Sequence, residues 1–315
     1  MSEAPAFNPQ PSLPAFLAQR PWAVRTIHVL RWLFPVALLI YVGFKLSELG
    51  WRDMWAARPA HLGFYIMLVA QFFLQPLGDF LVYRNLWGAG SAPPLSVILR
   101  KRFLNSAMLD YSGEVFFYFW AQARLKLPPG MLIHAIKDSN VLSAGAGLVM
   151  VWVRALMLLA SGGLQIPQSV SDNLWIYLAI GSIPLWLSVI LVLAHRKVTV
   201  LSRGQIAATF GIHFARSFCV LTVEFFLWYL SGALPTAVAC LQFVALRLVV
   251  TRLPMVPNKD LIYVGAGIAA AGMANLPVTP VATVLVILAA ADLGLVTLVA
   301  GLPWALEQLR KRGKA

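Results

Sequence analysis

The chain has 315 residues, of which 60% are hydrophobic and only 12% charged, and its mean hydropathy is +0.76. Soluble globular chains are about one quarter charged, so a soluble fold is excluded and an all-α, polytopic membrane protein is expected. The net charge of +13 does not imply nucleic acid, because no basic-aromatic module accompanies it; lysine and arginine in cytoplasmic loops account for it.

Residues 1–28 read as a cytoplasmic tail. The stretch from Pro5 to Pro14 is Pro-rich, and Arg20 and Arg25 precede the first apolar run, so no cleaved signal is expected. An integral membrane domain is expected over 29–307. Apolar runs place spans at about 31–49, 61–83, 139–160, 174–195, 206–231, 235–253, 260–276 and 279–306, which is about eight. A short basic tail follows at 308–315. Trp51 and Trp55 lie in the first loop, which is expected to rest at the membrane interface.

The stretch from Arg100 to Asp138 breaks the pattern. Its apolar part, 103–120, is interrupted by Asp110-Tyr-Ser-Gly113-Glu114, and basic residues flank it on both sides: Arg100, Lys101 and Arg102 before, Arg124 and Lys126 after. Two basic ends belong on the same side of a bilayer, so a re-entrant element is expected rather than a span. Asp110 and Glu114 are spaced i,i+4 and would share a helical face. Two carboxylates so close suit acid–base work or a cation; they equally suit pairing with arginine or capping a broken helix end.

Several later charges fall within apolar runs: Arg154, His213, Arg216, Glu224, Arg247 and Asp292. Charges at bilayer depth cost several kcal/mol unless paired or wet. Arg216 and Glu224, eight apart, share a face. Plain ion pairs among these groups are one reading. A cavity lined by guanidinium groups, suited to a phospholipid headgroup, is the other. Pro254 to Asp260 reads either as a second broken element or as a cytoplasmic turn with Asp260 at a helix start.

Charge places the loops. Arg84 with Arg100 to Arg102, then Arg124 with Lys126 and Lys137, then Arg196, Lys197 and Arg203, and the tail from Arg310, are basic. The turns at 161–173, 232–235 and 277–279 carry no Lys or Arg. Both termini are therefore expected in the cytoplasm. Cys219 and Cys240 read as packing residues, and neither a metal nor a cofactor is expected.

At Arg102-Phe-Leu-Asn105 and Gly113-Glu114 the chain resembles the membrane region of the lysylphosphatidylglycerol synthase family, a flippase-like domain. The resemblance covers roughly residues 30–305 by order and spacing of segments. In the later Pro-rich turn a Gly-Gly pair is replaced by Asn258-Lys259, and the family's aminoacyl-transferase domain has no counterpart. The resemblance implies an inner-membrane bacterial protein that binds or translocates a lipid, anionic or glycosylated, with a separate lipid-modifying enzyme as a partner. Arg102, Asn105, Asp110, Gly113 and Glu114 would line the entrance, with Arg154, Arg216, Glu224, Arg247 and Asp260 deeper. An intramembrane enzyme acting on a lipid headgroup and a structural membrane partner are the alternatives.

Overall fold

The computed structural model describes residues 46–107, 111–125, 127–163, 201–251 and 259–312, together with 40, 42–44, 175 and 186. The expected span at 174–195 falls almost wholly outside the described residues and that at 31–49 in large part, as do Asp110 and the Pro254–Asn258 turn. All described regular structure is helical. The elements are α1 (Trp51–Ala56), α2 (Leu62–Trp87), α3 (Leu95–Ala107), α4 (Ser112–Arg124), α5 (Pro129–Ala160), α6 (Arg203–Ser231), α7 (Ala237–Thr251), α8 (Lys259–Met273) and α9 (Val278–Val296). A π-turn at Thr297–Gly301 joins α9 to α10 (Leu302–Arg312).

Local sequence sets most of the ends. His61 accepts the Gly63 amide at 3.0 Å at the start of α2. Ser202 and Gln205 form a reciprocal capping box at the start of α6. Pro129 opens α5, where its missing N–H removes no helical bond. Gly162 ends α5 in the left-handed region, φ 70°, and the next amide, of Gly163, closes on the Leu158 carbonyl at 2.8 Å.

Among the described residues four helical runs are long and apolar enough to cross a membrane: Leu62–Trp87, Pro129–Ala160, Arg203–Ser231 and Val278–Glu307. Twenty-six residues reach about 39 Å at 1.5 Å per residue, against an apolar core of about 30 Å. Large apolar side chains on these helices, among them Leu62, Ile66 and Leu156, face outward, as expected of a membrane protein. The count of about eight spans is not reached by the described residues. α7 and α8 have 15 described residues each.

Two expected boundaries move. The third span was placed at 139–160, but α5 begins ten residues earlier because Pro128-Pro129 starts a helix at once. Lys137 therefore sits on the helix instead of in a loop. The last span carries a π-turn that no periodicity announced.

α6 is the axis of the bundle, packed along α2 and α5, with α7 beside it; α8 pairs with α9. α3 and α4 form a helical hairpin. Each has 13 residues, about 20 Å, short of a bilayer's apolar thickness. Tyr111, at the turn, has φ 73°. That left-handed residue interrupts the helix, and α4 starts only at Ser112. The expected shared helical face of residues 110 and 114 involves Asp110, which lies outside the described residues.

Candidate functional site

The hairpin is closed by its own polar groups. Asn105 accepts the Gly113 amide at 2.6 Å through Oδ1 and donates through Nδ2 to Glu114 at 3.0 Å. Ser112 donates to the Leu104 carbonyl at 2.8 Å. A Cβ at position 113 would run into the Lys101 carbonyl oxygen, so the Gly-Glu step is needed for close approach of the two helices. Asn105, Gly113 and Glu114 act as this clasp. They are not among the residues that line the cavity described below.

Behind the clasp lies a buried charge group that the sequence reading missed. Asp79 on α2 accepts from Lys101 Nζ at 2.9 Å and from Arg216 Nη1 at 2.7 Å. Lys101 also reaches Glu114 at 3.4 Å, and Arg216 donates to Ser143 at 2.9 Å. The Lys101 ammonium sits 5.4 Å from the Tyr83 ring and 5.7 Å from Phe117, whose negative faces favour it. Arg216 crosses α2 at Gly78, where any Cβ would strike its side chain. An acidic residue inside the predicted 61–83 span was the signal available for Asp79. Its cationic partners, 22 and 137 residues away, were not readable.

A cavity of about 420 Å³ opens beside this group, between α2, α3, α5, α6, α7 and α9. Arg102, Arg216, Glu224, Arg247 and Asp292 all line it, with Gln71 and Gln75 on α2. Five charges chosen from the sequence are thus brought to one space by four helices, α3, α6, α7 and α9. Such bundle cavities, a few hundred Å³ with a few polar groups, are typical of ligand sites.

Each arginine on the wall has a carboxylate. Arg102 is ion-paired with Asp292, donates to the Phe72 carbonyl at 2.7 Å and stacks on the Phe72 ring at 4.5 Å. Arg216 is held by Asp79. Arg247 approaches Glu224 at 3.6 Å and Asp260 at 3.5 Å, and lies 5.6 Å over Tyr263. These last two ion pairs are longer than hydrogen bonds; Glu224 Oε1 and Arg247 Nη1 are buried without a hydrogen-bond partner.

The arginines are paired, and they still line one cavity. The expected pairing of Arg216 with Glu224 or Asp292 is replaced by Asp79. Arg154 is buried on α5, facing Glu224 with its Nη1 unpartnered, and is not among the cavity-lining residues. Asp260 reaches the site through Arg247. Among the described residues no cluster of His, Cys, Asp and Glu has the makings of a metal site.

Comparison with family models, with curated proteins and with solved structures gives no match.

Proposed function

We propose that this chain is an integral membrane protein that binds or translocates a lipid, with an anionic headgroup held in the cavity between α2, α6 and α7. The observation that supports this reading is the meeting of Arg102, Arg216 and Arg247, from three separate helices, on one cavity of about 420 Å³. Guanidinium groups present paired donors that match phosphate oxygens. Apolar side chains such as Leu68, Leu221 and Leu288 complete the lining and suit the start of an acyl chain.

In this reading the α3–α4 hairpin is re-entrant, both termini are cytoplasmic, and the protein belongs with the flippase-like membrane domains that its Arg102-to-Asn105 and Gly113-Glu114 segments resemble. Glu114 is engaged by Lys101 and Asn105, which gives no support to a role in headgroup chemistry.

The test is Arg216→Gln. Lys101 remains on Asp79 in this variant, so the protein is expected to stay monodisperse in detergent and to co-purify with less anionic lipid, measured by mass spectrometry. Arg216→Lys should recover part of the lipid, because an ammonium lacks the paired donors. Unchanged lipid content in Arg216→Gln would overturn the proposal.

A further inference from the structure

We infer that the cavity selects its lipid by hydroxyl groups beyond the phosphate, and that Gln71 and Gln75 on α2 read them. The ligand class is then a phosphodiester lipid with a polyol or sugar headgroup; the inference rests on the lipid-binding reading above. The arginines on the wall do not make this choice. Every phosphodiester lipid offers them the same phosphate. Each also holds a carboxylate: Arg102 that of Asp292, Arg216 that of Asp79, and Arg247 that of Glu224. They supply affinity for the shared part of the ligand. Discrimination falls to the neutral polar groups of the lining.

Those groups sort by their partners. Ser143 accepts from Arg216, and Thr251 donates to the Leu248 carbonyl. The side chains of Gln71 and Gln75 line the cavity and have no hydrogen-bond partner among the described residues. They are spaced i,i+4 in the part of α2 that precedes Pro76, so they share a face and lie about 6 Å apart along the axis. Arg102 is fixed to the same stretch of helix, by the carbonyl and the ring of Phe72. A phosphate drawn to Arg102 thus lies beside both carboxamides. A carboxamide donates and accepts, as a hydroxyl does, so a glycerol or sugar can bond to it in either direction. An ammonium only donates, and leaves the carboxamide N–H groups unanswered. A site built to bond hydroxyls disfavours an analogue that lacks them, because its own polar groups then lose their partners.

The experiment uses the full chain in detergent and two probes of equal chain length, dioctanoyl phosphatidylglycerol and dioctanoyl phosphatidylmethanol. Both carry a single negative charge, and they differ only beyond the phosphate. Titration calorimetry measures the two affinities. The parent is expected to bind the glycerol probe about tenfold more tightly, the equivalent of one or two net hydrogen bonds. Gln71→Leu/Gln75→Leu keeps every charge on the wall. It should bind phosphatidylmethanol as the parent does and phosphatidylglycerol no better. Equal affinities in the parent, or a glycerol preference that survives in the double variant, would overturn the inference and leave lipid binding standing. Should the double variant not fold, Gln75→Leu decides, since Gln75 is exposed on the wall: it must lose part of the preference, and a full preference would overturn the inference. Failure of the parent to bind either probe would instead overturn the lipid reading, and this inference with it.

Discussion

Pro76 leaves the carbonyl of Phe72 without its helical donor, and Arg102 supplies the replacement at 2.7 Å. In an α-helix the amide of residue 76 would bond the carbonyl of residue 72, and proline has no such amide. A proline in the middle of α2 thereby aims a backbone acceptor at the hairpin, and Arg102 is fixed at the cavity wall by a carbonyl, a ring and a carboxylate together.

This relationship predicts non-additivity. Arg102→Ala should cost more stability in the parent chain than in a Pro76→Ala background, by about 1 kcal/mol, because alanine at 76 restores the donor to Phe72. Thermal or denaturant unfolding of the four proteins in one detergent measures the coupling. Equal costs in both backgrounds would show that Arg102 does not stand in for the lost amide.

Gly113 and Gly211 should respond in opposite directions to alanine. At 113 the new methyl meets the Lys101 carbonyl and the Asn105 side chain; at 211, inside α6, it meets nothing within 4 Å. Gly113→Ala should destabilise by about 1–3 kcal/mol through overpacking. Gly211→Ala should stabilise by about 0.5–1 kcal/mol, the usual helix-interior preference. Melting temperatures of the two variants give the comparison.

Asp79 should matter more than either cation it holds. Asp79→Asn leaves both Lys101 and Arg216 without their shared carboxylate and should cost about 3–5 kcal/mol. Arg216→Gln leaves Asp79 with Lys101 and should cost less, about 1–3 kcal/mol. Unfolding midpoints at fixed lipid content check the order. The reverse order would mean that Asp79 is not the centre of the group.

Labelling tests the orientation. α5 has 32 residues, about 48 Å, ample for a crossing. Cysteines introduced at positions 126 and 161, in a chain whose exposed Cys219 has been replaced, should label from opposite faces, with 126 and the C-terminal tail on the cytoplasmic one. External labelling at Lys126→Cys would sink the re-entrant hairpin.

The sequence made the site's wall readable and its depth unreadable, for one physical reason. A guanidinium or carboxylate in an apolar run stands out without any neighbour, which is why Arg216, Glu224, Arg247 and Asp292 were found. Their partners are chosen by packing across helices. Asp79 meets Arg216 over 137 residues of chain, and nothing local marks that pair. The break in the hairpin was visible at Ser112-Gly113-Glu114 because glycine and charge interrupt the apolar run there. Its purpose as a clasp needed coordinates, since only the approach of Asn105 and Lys101 gives the glycine a reason.

The π-turn at Thr297–Gly301 sets the phase of everything after it. α3 is tied to the last helical run twice, through Arg102 to Asp292 before the turn and Arg100 to Glu307 after it, and Gly301 lies against the Phe103 ring between them. Wound as ordinary α-helix, at about 100° per residue instead of the smaller turn of an i→i+5 helix, the same five residues would rotate the far end by most of a right angle. Glu307 would then point away from Arg100 while Asp292 stayed in place. The C-terminal helix thus carries one residue more than α geometry would hold in that phase, and the π-turn absorbs it so that Arg100 and Arg102 of α3 both keep their carboxylates.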